Sequence, residues 1–213
     1  LRAAQGPFEP KESIPVLDEL VFTVLSQATS DVNSGRAFAS LKESFASWDE
    51  VARAPVAKVA NAIRSGGIAE VKSRRIKTIL NEIAEREGRI DLSRLEGMSD
   101  QEATEYLCSL PGVGPKTAAC VLTFSMGRPA FPVDTHVDRI VKRLGWIAPK
   151  ASAVKTQERL TPRIPPEIRY DLHIAFIHHG RAICTAQRPR CSECPVFELC
   201  ELGPQLVAAG LAR

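Results

Sequence analysis

The chain has 213 residues, enough to bury a sizeable core as one domain or as two small ones. Its composition, 44% hydrophobic and 25% charged, is that of an ordinary folded protein. It contains no run of about 18 apolar residues, so no membrane span is expected. The net charge of +3 is mildly basic and suits a bland protein as well as a nucleic-acid binder, so the placement of the charges has to carry the argument.

Leu1 to Phe8 lack the charged start and apolar run of a secretion signal, and a cytoplasmic protein is expected. The absence of an initial Met leaves room for an upstream segment. The dominant apolar period is helical. Ile14, Leu17, Leu20, Val21, Val24 and Leu25 recur at intervals of three and four. Ile76, Ile79, Leu80 and Ile83 do the same, with Gly88 as a stop. Ser99 and Glu102 have the spacing of a capping box that opens a helix through Leu107 and Leu110. Val137, Ile140, Val141 and Leu144 form another stripe ended by Gly145, and Ile168, Leu172, Ala175 and Phe176 a late one. No alternating strand of useful length is visible, so the expected fold is all-α. The stripes themselves read as core.

Between two of these helices lies Leu110-Pro111-Gly112-Val113-Gly114-Pro115-Lys116-Thr117-Ala118. Gly112 and Gly114 permit a tight turn with positive φ and let the backbone approach a partner, while Val113 can plug the core. The helix that begins near Lys116 offers free N–H groups and a dipole that favour an anion, and a DNA phosphate is the natural candidate. Asp134 follows Lys116 by eighteen residues, after Gly127-Arg128-Pro129. Taken alone, Asp134 reads as a helix N-cap and Lys116 as a solvated or phosphate-contacting cation. Together they can do more. A neutral lysine amine attacks a sugar carbon to form a Schiff base, and a nearby carboxylate stabilises the cationic sugar of glycosidic cleavage. Cys184, Cys191, Cys194 and Cys200 give C-x6-C-x2-C-x5-C, a thiolate set suited either to zinc or to an iron–sulfur cluster. Cys108 and Cys120, on apolar helix faces, read as plain buried thiols.

The LPGVGPKTA string, Asp134 at its distance within Val133-Asp134-Thr135-His136-Val137, and the cysteine spacing resemble the endonuclease III superfamily of helix-hairpin-helix DNA glycosylases. The resemblance runs from about Leu17 to Cys200. It implies two helical lobes with a DNA-binding cleft between them: a six-helix barrel with the hairpin over residues 9–128, and an iron–sulfur domain over 129–213 joined by 1–8. It implies a 4Fe-4S cluster on the four cysteines, in a structural role. It makes Lys116 the nucleophile and Asp134 its assistant in a glycosylase with lyase activity on oxidised pyrimidines, since members that only remove bases carry another residue at the Lys116 position. His136 is shared with the pattern and reads as structural. Gly112, Val113, Gly114, Lys116 and Thr117 would meet the DNA backbone, as would Arg188 and Arg190 in the loop between the first two cysteines. Such an enzyme must also fill the gap left by a flipped base. In Leu25-Ser26-Gln27-Ala28-Thr29-Ser30-Asp31, Ala28 rather than Gln27 takes the position of the family's Gln wedge, so either Gln27 reaches the gap from a shifted position or that wedge is missing, while Ile68 aligns with the second wedge. The implied partner is damaged double-stranded DNA, met by a monomer at a prokaryotic nucleoid. A mismatch-specific glycosylase and a non-enzymatic DNA-binding module are the rivals. Lys116 speaks against a purely base-removing enzyme, and the Lys116–Asp134 pair against a module that only binds.

Overall fold

The computed structural model describes residues 1–8 and 12–213, and the expected barrel start at residue 9 lies outside them. The fold is all-α, with no strand among the described residues. The helices are α1 (Arg2–Gln5), α2 (Val16–Ser26), α3 (Asp31–Ser44), α4 (Trp48–Arg53), α5 (Val56–Ala62), α6 (Ala69–Glu87), α7 (Asp100–Ser109), α8 (Pro115–Cys120), α9 (Thr135–Arg143), α10 (Ala153–Leu160), α11 (Arg169–Ala182) and α12 (Gly203–Ala208). The chain divides into two compact units, Glu12–Arg128 and Leu1–Lys11 with Pro129–Arg213.

In the unit Glu12–Arg128, α2 starts after Pro15, whose φ of −51° is preset for a helix entry. Ile14 therefore falls outside the helix that its spacing suggested. Leu17, Leu20, Val21, Val24 and Leu25 are buried. Each such side chain contributes about 1.5–3 kcal/mol by leaving water. In α6, Ile76, Ile79, Leu80 and Ile83 form the buried face, and the helix stops at Gly88 with φ 72°. α7 opens on the expected capping box, with Ser99 and Glu102 each satisfying the other's backbone N–H. α2 packs on α8 and on the π-helical turn Val121–Ser125 that continues it.

The other unit has its own core, in which Phe131, Val133, Val137, Ile140, Val141, Leu160, Ile164 and Phe176 meet. α9 supplies the stripe read from the sequence. Ala175 and Phe176 of α11 are buried, but Ile168 is 40% exposed. It precedes α11 because Pro165 and Pro166 start a separate 3-10 turn, Pro166–Ile168, and a proline cannot supply an intrahelical N–H.

Candidate functional site

The hairpin forms as a turn from α7 to α8. Gly112 has φ 74°, and a Cβ there would lie 2.9 Å from the Arg75 Nε. The second glycine behaves differently from the expectation of paired positive φ: Gly114 is extended, φ −106°, and serves as the N-cap of α8. Val113 is buried beneath the turn. Pro115 takes the first helical position, and the first helical bond runs from the Ala118 N–H to the Gly114 carbonyl at 3.0 Å. The N–H groups of Lys116 and Thr117 belong to the first turn, where no intrahelical acceptor exists. The Lys116 side chain is half-buried, and that of Thr117 is buried.

Sequence reasoning missed Glu19. It lies on the α2 face that packs toward α8, is 7% exposed, and accepts a hydrogen bond from the Thr23 hydroxyl at 3.0 Å. Burial pushes its pKa up from 4.5 to about 7, against the lowering effects of Thr23 and of the Lys116 charge. Only its break with the apolar pattern of α2 could have drawn attention to it.

The two candidate wedge segments are both placed by left-handed residues: Ala28 has φ 52° and Ile68 φ 39°. A β-branched residue in that region is strained, by about 1–3 kcal/mol. Ile68 is 59% exposed at the start of α6. Gln27 is not free: its Oε1 accepts from the Arg75 Nη1 at 2.6 Å.

In the other unit, Asp134 is the N-cap of α9, as its position before the apolar stripe suggested. Its Oδ1 accepts from the N–H groups of His136 at 2.9 Å and Val137 at 2.8 Å, which leaves Oδ2 outside the cap. His136 Nδ1 lies 3.1 Å from the Arg139 Nη2. A Cβ on Gly180 would come within 2.7 Å of that Nδ1, so α9 and α11 touch closely.

Cys184, Cys191, Cys194 and Cys200 line one pocket with Ile140, Arg143 and His179. Zinc would need four sulfurs at about 2.3 Å from one point. Among the described residues no three His, Cys, Asp or Glu side chains converge to hold a single ion. The sulfurs instead ring a shared space. Burial first, then the three other sulfurs, push the Cys191 thiol up. Burial pushes the Cys194 thiol up as well, and a thiol so raised ligates as a thiolate when a cationic group is bound beside it. Donors reach the sulfurs: Arg143 Nη1 to Cys184 Sγ and the Gly203 N–H to Cys200 Sγ, both at 3.2 Å. Arg139 and Arg143, one turn apart on α9, were also missed. Arg139 donates to the carbonyls of Cys184 and Gly180, and Arg143 to those of Thr185 and Ala186. Between the first two cysteines, Arg188 is exposed with φ 47°. Arg190 stays partly exposed, donates to the Ala182 carbonyl and pairs with Glu193 at 3.2 Å. Cys120 is buried as expected, whereas Cys108 is only partly so.

A helical fold with this hairpin defines a class of DNA repair protein. Residues 21–166 match the model of the HhH-GPD superfamily of base excision DNA repair proteins, and residues 184–200 the iron–sulfur binding domain of endonuclease III. The chain belongs to that superfamily and, within it, is an endonuclease III-like protein with an iron–sulfur binding domain. It is 35% identical to endonuclease III of Thermotoga maritima, covering 92% of this chain and 86% of that one. A protein of Arabidopsis thaliana provisionally named a DNA glycosylase is 46% identical over 82% of this chain. The chain spans only 59% of that relative's length, and 13% of DEMETER-like protein 2 from the same plant. Among solved structures, a non-covalent endonuclease III–DNA complex is similar with a TM-score of 0.81 and 29% identity, over 97% of this chain and 92% of that chain. No helix among the described residues is long and apolar enough to cross a membrane.

Proposed function

We propose that the chain is a DNA glycosylase with an attached abasic-site lyase activity, acting in base excision repair on oxidised pyrimidines in duplex DNA. The observation that carries this reading is Lys116 on the first turn after the hairpin, with the buried carboxyl of Glu19 sensing its charge and titrating at about 7. A base poised near the working pH is what an amine nucleophile needs in order to lose its proton.

In this reading the Lys116 amine attacks the sugar C1′. A C–N bond forms to the lysine as the bond to the damaged base breaks, and the base leaves with the electron pair. Asp134, through the oxygen its cap leaves over, stabilises the cationic sugar on the way. The C1′–O4′ bond of that adduct then breaks, O4′ taking a proton as the nitrogen lone pair closes a C1′=N Schiff base, and the Schiff base acidifies the C2′ protons. Loss of one of them expels the 3′ phosphate, and the strand is cut by β-elimination. Gly112, Val113, Gly114 and Thr117 meet the phosphate backbone through main-chain N–H groups, and Arg188 adds a charge to another phosphate. Arg190, tied to the Ala182 carbonyl and to Glu193, offers a second charge to the backbone from the same loop. Ile68 fills the gap left by the flipped base, and Gln27 stands beside it. Cys184, Cys191, Cys194 and Cys200 hold the 4Fe-4S cluster, which, when bound, ties the C-terminal segment together and fixes the loop that carries Arg188.

Borohydride reduction in the presence of duplex DNA with an oxidised pyrimidine tests the reading. A covalent protein–DNA adduct is expected, and it should vanish in Lys116→Ala. No adduct with any damaged base or abasic site would refute the lyase assignment.

A further inference from the structure

Lys72 is 2% exposed, although it carries an ammonium. Its Nζ donates to the Leu25 carbonyl and to the Gly66 carbonyl, each at 2.7 Å. Those acceptors end two different elements. Leu25 lies in the last turn of α2, where carbonyls lack helical partners and the dipole favours a cation; Gly66 closes the 3-10 turn Arg64–Gly66. Beyond each carbonyl the chain passes through a left-handed residue: Ala28 three positions after Leu25, and Ile68 two after Gly66. Gly66 is itself pressed on α3, since a Cβ there would lie 3.1 Å from that of Ala37. Arg75, three residues after Lys72 on α6, holds Gln27 and lies over Gly112 of the hairpin. Burial pushes the Lys72 pKa down from that of an ordinary lysine. A methionine of similar length would avoid that cost but would hold neither carbonyl.

We propose that Lys72 is a positioning residue for duplex opening. By holding the Leu25 and Gly66 carbonyls on one ammonium, it makes the Ala28 and Ile68 turns a single rigid body and keeps Ile68 presented for insertion between bases. This rests on the glycosylase reading above. Insertion matters only where a base must leave a stacked duplex, so the proposal separates duplex from single-stranded substrates.

The test is Lys72→Met, checked for folding by circular dichroism, beside Ile68→Ala and the double variant. Each is assayed for excision from a damaged duplex and for borohydride trapping at an abasic site in single-stranded DNA. Lys72→Met should slow duplex excision at least about tenfold while single-stranded trapping stays within about twofold, and the double variant should be no slower than Ile68→Ala alone. Equal losses on both substrates, an unchanged duplex rate, or losses that multiply in the double variant would overturn it. Should Lys72→Met fail to fold, Lys72→Gln, which can still donate to one carbonyl, is read by the same ratios. Hydrogen exchange supplies a readout that needs no activity. Exchange should rise together in residues 26–28 and 67–69 of the Lys72 variant, and a rise in one turn only, or in neither, refutes the positioning role. Absence of excision and trapping in the unaltered protein would refute the glycosylase reading instead, leaving the exchange result to decide on Lys72.

Discussion

Glu19→Gln should make the protein more stable, and increasingly so as pH rises. Glu19 is 7% exposed, and its pKa stands at about 7 in the fold against 4.5 for an ordinary glutamate. Because the folded value is the higher one, the folded state holds a proton that the unfolded chain has released. The favourable contribution of that proton is complete below 4.5 and is lost as pH rises to about 7. At ~1.4 kcal/mol per pKa unit, the ionised carboxylate costs the fold about 3 kcal/mol under alkaline conditions. Glutamine keeps the shape and can still accept from the Thr23 hydroxyl, but it cannot ionise. The two proteins should therefore differ little in acid, and the variant should gain up to about 3 kcal/mol in alkali. Urea unfolding of both proteins at about pH 5 and about pH 8.5 measures this, since all other titrating groups cancel in the difference. A stability gap that does not change between the two pH values would show that Glu19 titrates like an exposed glutamate, and would remove it as a proton acceptor for Lys116.

Three further outcomes are expected. Gly112→Ala forces a side chain into a left-handed turn and against Arg75, and should destabilise the protein by about 1–3 kcal/mol in denaturant unfolding. Gly114→Ala, at an extended residue with open space around it, should cost well under about 1 kcal/mol. Arg188→Ala should weaken DNA binding and lower the salt slope of affinity by about one unit, while leaving Lys116-dependent trapping at saturating DNA intact; unchanged affinity and slope would remove Arg188 from the interface. Cys194→Ser, or iron chelation, should bleach the visible absorbance and loosen the segment after Cys184 towards proteolysis. A colourless, iron-free protein that resists protease as the intact one does would overturn the structural role of the cluster.

The main helices of each unit could be read from the chain because their signals are local. The stripes of α2, α6 and α9, the capping box of α7 and the stop at Gly88 each depend on residues a few positions apart. The 14-residue α3 and the short helices α4 and α5 were not legible: no apolar stripe marks them, and packing on neighbours holds them. Ile14 was misplaced because apolar spacing runs on across Pro15 while the helix does not, and Ile168 because it closes the 3-10 turn that the prolines before it open, one residue ahead of α11.

The chemistry-bearing residue types were likewise determined by the sequence alone. A hairpin with one lysine, an aspartate at a fixed distance and four cysteines at fixed spacing are statements about order along the chain. What each side chain does with its neighbours was decided only by the tertiary structure. Folding caps α9 with one oxygen of Asp134, ties Arg190 to the Ala182 carbonyl and Glu193 while leaving Arg188 exposed, ties Gln27 to Arg75, and buries Glu19 and Lys72. Burial and long-range hydrogen bonds join residues as far apart as Leu25 and Lys72, and no local pattern encodes the loss of water that makes a carboxyl titrate near neutrality or an ammonium hold two turns together.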